Sequence, residues 1–331
     1  MSTALVAKRA SAMAAYLDEA ARERRLEELA ARVGAEVVVC GHSLEGRPIR
    51  AAVVPASSST TSSSSAAAPP TVFVNANLHG VEWIGGLCAL GLLEALAGPR
   101  GAALRARATV VIAPCLNPDG FMKTERAGGH DVLKALRTNA NGVDLNRNFP
   151  RPDRVEREAW APSRLPLAVS GSSDPRRATW RGPHPFSEPE SRVVDDVLAR
   201  HRPHAVLSFH SFMGTLIPPK VTTWREARTY RRLARAFRRG QPHHLHPTFM
   251  FAPGDVFTGE LEDHAHHVHG AWALTVEVFP IAHSFREHLV APSLFARFNP
   301  RDPRRVVDDA VSGGLAFLLA ALDEPRPREP R

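Results

Sequence analysis

Three stretches constrain the fold of this chain more than any others. They are TVFVNAN at 71–77, IGGLCALGLLEAL at 84–96 and ATVVIAPCLN at 108–117. The outer two are apolar runs of strand length. The middle one has a helix's length and an apolar face. Strand, helix and strand at this spacing predict a right-handed βαβ unit with a parallel strand pair. Such sheets collect ligands past the carboxyl ends of their strands. His79 and Glu82 lie just past one such end, and Asn117-Pro-Asp-Gly lies just past the other. Both segments therefore belong to one rim.

The flanking sequence extends this α/β pattern. A helix is expected over 3–32, and the short β-branched runs at 36–40 and 49–54 read as a hairpin. The SSSTTSSSS run at 57–65 has nothing to bury and reads as a loop between strands. Residues 150–185 are rich in Pro and Arg and read as a long surface loop. Ser187 and Glu190 form a capping signal for a helix over 187–201. Further strands are expected at 204–210 and 270–280, with helices at 226–240 and 306–322. The organisation is then a helical segment at 1–35 and a main domain at 36–322. The main domain contains the Ser-rich loop at 57–66, and a disordered tail follows at 323–331.

Composition excludes some functions. The net charge is +8, from 42 basic and 34 acidic residues, and only Lys8, Lys123, Lys134 and Lys220 are lysines. The arginines are scattered, with no basic helix interleaved with exposed aromatics, so nucleic acid is not an expected partner. No apolar run is long enough for a membrane span, and the N-terminus lacks the apolar core of a signal peptide. Cys40, Cys88 and Cys115 sit in apolar contexts without CxxC spacing. They read as buried free thiols, and a cytoplasmic location follows.

The chemistry-bearing residues gather in a few places. His79-Gly-Val-Glu82 is a weak signal alone, because a loop histidine is more often a surface residue. His210 ends the strand AVLSFH and is equally ambiguous alone. Together, two imidazoles and one carboxylate with a position left for water make up a catalytic zinc site. Glu277 lies inside the apolar run WALTVEVFP, where an unpaired carboxylate costs several kcal/mol. A structural ion pair and a general base explain it equally well. The segment RTNANGVDLNRNFP at 137–150 adds Arg137, Asn146 and Arg147. Arginine forks with an additional Asn donor would suit a substrate carrying a free carboxylate.

With these residues on one rim, the chain resembles the zinc carboxypeptidases of the A/B type. The resemblance rests on GHSLEGRPI, NANLHGVEW, LNPDGF, RTNANGVDLNRNFP, PFSEPESR, SFHS and TVE, in that order, across roughly residues 36–320. It implies a mixed, mostly parallel eight-stranded twisted sheet sandwiched between helices. It implies one Zn2+ per chain on His79, Glu82 and His210. Glu277 would activate water and pass its proton to the leaving amine, and Arg137 would polarise the scissile carbonyl. Asn146 and Arg147 would hold the terminal carboxylate of a peptide or peptide-like substrate. Glu262 and Thr275 match specificity-pocket positions, Glu262 being acidic where basic C-terminal residues are preferred.

The chain departs from the family at one point. A mobile tyrosine is expected upstream of the catalytic glutamate, but the only tyrosines are Tyr16 and Tyr230, and FMFAPGDVFTGELEDHAHHVHG has none. This leaves a rival reading as a zinc amidohydrolase on N-acyl amino acids or cell-wall-type peptides. A non-catalytic binding protein on a hydrolase fold is a further rival, opposed by the complete ligand set. Glu260, Glu262 and Asp263 read as a solvated charge cluster. His243, His244 and His246 form one histidine group, and His264, His266, His267 and His269 form another. A second metal site is the rival reading, but HxHHxH does not fit one helix face, and the second group reads as a loop flanking the active site.

Overall fold

The computed structural model describes residues 13–57, 68–150, 171–221, 223–245, 248–249, 259–280, 282, 289 and 293–327. Among the described residues, eight strands form one sheet. They are β1 (Glu36–His42), β2 (Pro48–Val54), β3 (Thr71–Ala76), β4 (Thr109–Ala113), β5 (Ala205–His210), β6 (Thr215–Ile217), β7 (Thr248–Phe249) and β8 (Trp272–Glu277). Their order is β1-β2-β4-β3-β5-β8-β6-β7. The four central strands β4, β3, β5 and β8 are parallel. Antiparallel pairs flank them on both sides, through β2 and β6. This is the mixed, centrally parallel sheet that the resemblance implies.

Burial explains the sequence of the central strands. Every residue of β5 is buried, as is all of β3 beyond Thr71. Parallel strands covered on both faces read as continuous apolar runs. One face packs Val72, Val74, Leu207, Phe209, Leu274 and Val276 against helices. These helices are α1 (Glu19–Val33), α2 (Trp83–Leu96), α5 (Trp224–Gly240) and α7 (Arg304–Leu322). The other face packs Phe73, Val206 and Ala273 against α4 (Pro189–His201) and α6 (Leu261–His267). A further helix, α3 (Pro118–Arg126), starts at the Asn117 rim segment. The sheet is thus sandwiched as expected.

The boundaries show where local chemistry overrode periodicity. The helix expected over 3–32 begins within the described residues at Asp18, whose carboxylate accepts from Ala21 N at 2.7 Å, and ends at left-handed Gly34. Its Leu26 and Leu29 are fully buried in the main core. The capping signal at Ser187 and Glu190 does not form. Ser187 Oγ donates to Glu188, and the buried Glu190 carboxylate accepts from Leu44 N and Asn139 Nδ2 instead. A capping box that the sequence reading passed over starts α5, where Thr223 and Glu226 exchange hydrogen bonds. Residues 323–327 are docked where a frayed tail was expected, with Pro325 O accepting from Trp272 Nε1 at 3.0 Å. The Ser-rich run beyond Ser57 and residues 151–170 of the expected loop lie outside the described residues.

Because Leu29 belongs to the same core as the sheet, Leu29→Ala should cost about 2–5 kcal/mol of global stability. Urea unfolding followed by far-UV circular dichroism measures this. A cost near zero would mean that α1 unfolds independently of the sheet.

Candidate metal centre and active site

The strands place the site before any loop does. β3, β5 and β8 are parallel neighbours, so their carboxyl ends meet at one rim. Side chains alternate between faces with period two. Ser208 and His210 therefore share the face of Thr275 and Glu277. The register pairs Ser208 with Thr275 and His210 with Glu277. Asn75 of β3 pairs with Ser208, and Ser208 Oγ donates to Asn75 Oδ1 at 2.7 Å. A polar row crosses the sheet one step below the rim, and His210 and Glu277 stand above it.

The loop after β3 brings in the other ligands. Asn77 takes a left-handed conformation and donates from Nδ2 to Glu82 O at 2.9 Å. Asn117 Nδ2 donates to Leu78 O at 3.0 Å. Gly80 runs against the backbone of Gly120, so close that an added Cβ would stand 2.3 Å from the Gly120 carbonyl carbon. These contacts present His79 and Glu82 to the rim with their backbones fixed.

The three expected ligands converge. His79 Nδ1 lies 2.8 Å from Glu82 Oε1, His210 Nδ1 lies 3.0 Å from Glu82 Oε2, and the two Nδ1 atoms are 3.2 Å apart. All three side chains are buried. The second nitrogen of His79, Nε2, lies 2.9 Å from Asp144 Oδ1. An ionised carboxylate only accepts, so Nε2 of His79 carries a proton towards Asp144, and Nδ1 is the nitrogen turned to Glu82 and His210. With a cation between the three side chains, Nδ1 would present its lone pair to it. The donor set of two imidazoles and a carboxylate fits Zn2+, and a carboxylate behind one histidine is the usual support.

Asp144 is the residue that the sequence reading missed. It is fully buried and accepts from His79 Nε2, from Asn146 N at 3.1 Å and from Arg137 Nε at 2.9 Å. Burial alone would raise its pKa, but the Arg137 guanidinium and the His79 ring hold it well below the usual carboxylate range. Its signal was its place inside GVDLNRNF, between two expected site arginines. Burial likewise opposes ionisation of Glu82, and His79 and His210 overcome it.

The remaining expected residues divide. Arg137 is held by Asp144 with its NH1 3.9 Å from Glu82, so its charge stands beside the ligand set. Glu277 Oε2 is buried and has no hydrogen-bond partner among the described residues. Burial pushes the Glu277 carboxyl well above its usual pKa, the Glu82 charge adds to this, and Arg137 opposes it. A desolvated carboxylate of this kind suits a proton acceptor. Asn146 Oδ1 accepts from Leu261 N at 2.9 Å, at the start of α6. Arg147 NH1 donates to Asn146 O at 2.6 Å and to Glu260 Oε1 at 3.0 Å. Thr275 Oγ1 is buried on the face of Glu277 and has no hydrogen-bond partner among the described residues. Glu262 is buried, and its charge is felt at Glu277.

Two expectations are corrected here. Glu260, Glu262 and Asp263 are buried rather than solvated, and Asp263 accepts from Lys220 N at 2.7 Å. His264, His266 and His267 lie on helix α6 and are buried rather than on a flanking loop. Tyr230 and Tyr16 serve the core. Tyr230 OH hydrogen-bonds to His266 Nδ1, and Tyr16 OH donates to Pro300 O. His246 and residues 250–258 of the tyrosine-free segment lie outside the described residues.

The family profile described as "Zinc carboxypeptidase" matches residues 23–287. The chain belongs to the zinc carboxypeptidase family. This is a family of zinc-dependent metallopeptidases, and the convergent donor set fits that metal. Human carboxypeptidase A6 is 30% identical over 158 residues, which is 45% of this chain and 33% of that protein. Murein peptide amidase A of Escherichia coli K12 is 32% identical over 107 residues, which is 32% of this chain and 37% of that protein. The chain thus matches about a third of the length of these relatives. The fold is shared with carboxypeptidase A from Helicoverpa armigera, with a TM-score of 0.70, 23% identity and coverage of 93% of this chain and 74% of that one. It is also shared with thrombin-activatable fibrinolysis inhibitor, with a TM-score of 0.71, 18% identity and coverage of 95% and 80%.

If Asp144 fixes the tautomer of His79, Asp144→Asn should weaken zinc binding by about 10–100-fold. Competition with a chromogenic chelator measures it. Unchanged affinity would reduce Asp144 to a purely structural acceptor.

Proposed function

We propose that this chain is a zinc-dependent metallocarboxypeptidase that hydrolyses the C-terminal peptide bond of peptides or peptide-like substrates. One observation carries the reading. A desolvated carboxylate, Glu277, stands in register beside His210 on the rim where His79 and Glu82 complete a metal site. When bound, zinc supplies a Lewis acid for the scissile carbonyl and acidifies water. Glu277 takes the proton from the attacking water and delivers it to the leaving amine. Its raised proton affinity suits both transfers. Arg137, oriented by Asp144, directs its remaining donors at the developing oxyanion. Asn146 and Arg147 receive the terminal carboxylate. Their present partners, Leu261 N and Glu260, hold the clamp at the start of α6.

A second reading has its own support. The similarity to murein peptide amidase A and the absent tyrosine favour a zinc amidohydrolase on cell-wall-type peptides or N-acyl amino acids. Both readings use the same residues and differ in the leaving half of the substrate. Three unpaired cysteines fit a reducing, cytoplasmic setting for either.

Paired free-acid and C-terminally amidated peptides, assayed beside murein peptides and N-acyl amino acids, separate the readings. Release from ordinary free acids alone is the expected outcome. Turnover confined to murein or acyl substrates would move the assignment to the amidohydrolase. Glu277→Gln should keep zinc and lose about 10²–10⁴ in rate. Near-full turnover in that variant would remove Glu277 from the mechanism. Arg137→Ala should raise the barrier by about 2.7–4 kcal/mol and act on kcat more than on KM. A pure KM effect would make Arg137 a binding residue instead.

A further inference from the structure

The described residues hold a second group built like the first. His264 on α6 and His269 in the turn before β8 both aim Nε2 at Asp195 on α4. The nitrogens lie 2.7 and 2.8 Å from Asp195 Oδ1 and 3.2 Å from each other. The separation of the two imidazole nitrogens equals that between His79 and His210, also 3.2 Å. The donor set is again two imidazoles and a carboxylate.

The surroundings favour a ligand. His264 is enclosed by Phe149 and Phe186, with ring centroids at 5.6 and 5.2 Å, which keeps water from that side. The Asp195 side chain is 34% exposed, so an ion has a route in and a position for a water ligand. Two donor nitrogens crowding one carboxylate oxygen leave two explanations. Either both rings carry protons towards Asp195, or a cation takes the place of those protons. Among divalent ions, imidazole with carboxylate suits zinc rather than magnesium or calcium.

We propose that Asp195, His264 and His269 form a second zinc site, separate from the hydrolytic centre. Filling it would tie α6 to α4 across the sheet face they share. α6 begins where Asn146 and Glu260 hold the clamp, so the second ion would brace that end of the substrate site from outside it. The inference does not depend on which amide bond the enzyme cleaves.

The test is metal counting on the full chain, stripped with chelator, reloaded with Zn2+ and freed of excess ion. Wild type should retain about two equivalents, with about one in His269→Gln and one in His79→Ala, as expected for two independent three-ligand sites. Asp195→Asn should behave like His269→Gln. Thermal melts guard against misfolding. In His79→Ala, added zinc should still raise Tm, and in His79→Ala/His269→Gln it should not. Co2+ replacement should give two visible-absorption components, one of them lost in His269→Gln. Wild type saturating at one equivalent, lost in His79→Ala and unchanged in His269→Gln, would overturn the proposal. It would leave the cluster as a proton-sharing structural contact.

Discussion

The active site depends on one buried carboxylate. Asp144 has no exposed surface, and ionised it would be costly there without partners. It has three, and each is part of the site. His79 is held in direction, Arg137 is anchored beside Glu82, and the backbone N–H of Asn146 is tied down. Removing the charge would release a metal ligand, a cation and the clamp together. The strength of the arrangement comes from low dielectric. The burial that would penalise Asp144 alone strengthens every bond it makes.

A second layer of organisation comes from the sheet. The polar row Asn75, Ser208 and Thr275 lies on the face that otherwise packs Phe73, Val206 and Ala273. Each strand therefore passes from apolar to polar to chemically active residues as it nears its carboxyl end. Helices α4 and α6 cover the apolar part of this face, and α6 starts at Leu261, whose N–H is bound by Asn146 of the site.

Much of this was legible in the sequence, for physical reasons. A strand covered on both faces must be a continuous apolar run, so β3, β4, β5 and β8 could be read directly. Ligands at the ends of parallel strands follow from the same reading. Other features depended on contacts that no local pattern encodes. Asp144 looked like one more polar residue in a turn, because its partners are seven and sixty-five positions away. Glu260, Glu262 and Asp263 looked solvated because a run of charges usually is. They are buried because α6 packs against β5 and β8, and Glu260 finds Arg147 while Asp263 finds Lys220. Ser187 and Glu190 had capping spacing, but Glu190 is drawn to Leu44 N and Asn139 before it can reach back to the helix start. Tertiary partners outcompeted local ones in each case.

The pairing of His210 with Glu277 has a consequence for how this scaffold can change. Successive residues of a strand face opposite ways, so slipping β8 by a single position would turn Glu277 into the apolar core and bring a valine to the rim. No side-chain substitution elsewhere could repair that. Insertions between the strands leave the pairing untouched. The chemistry is therefore protected against loop growth and intolerant of a one-residue insertion or deletion within β5 or β8. Variation in what the enzyme recognises can accumulate around the rim, while the count of residues within each strand stays fixed.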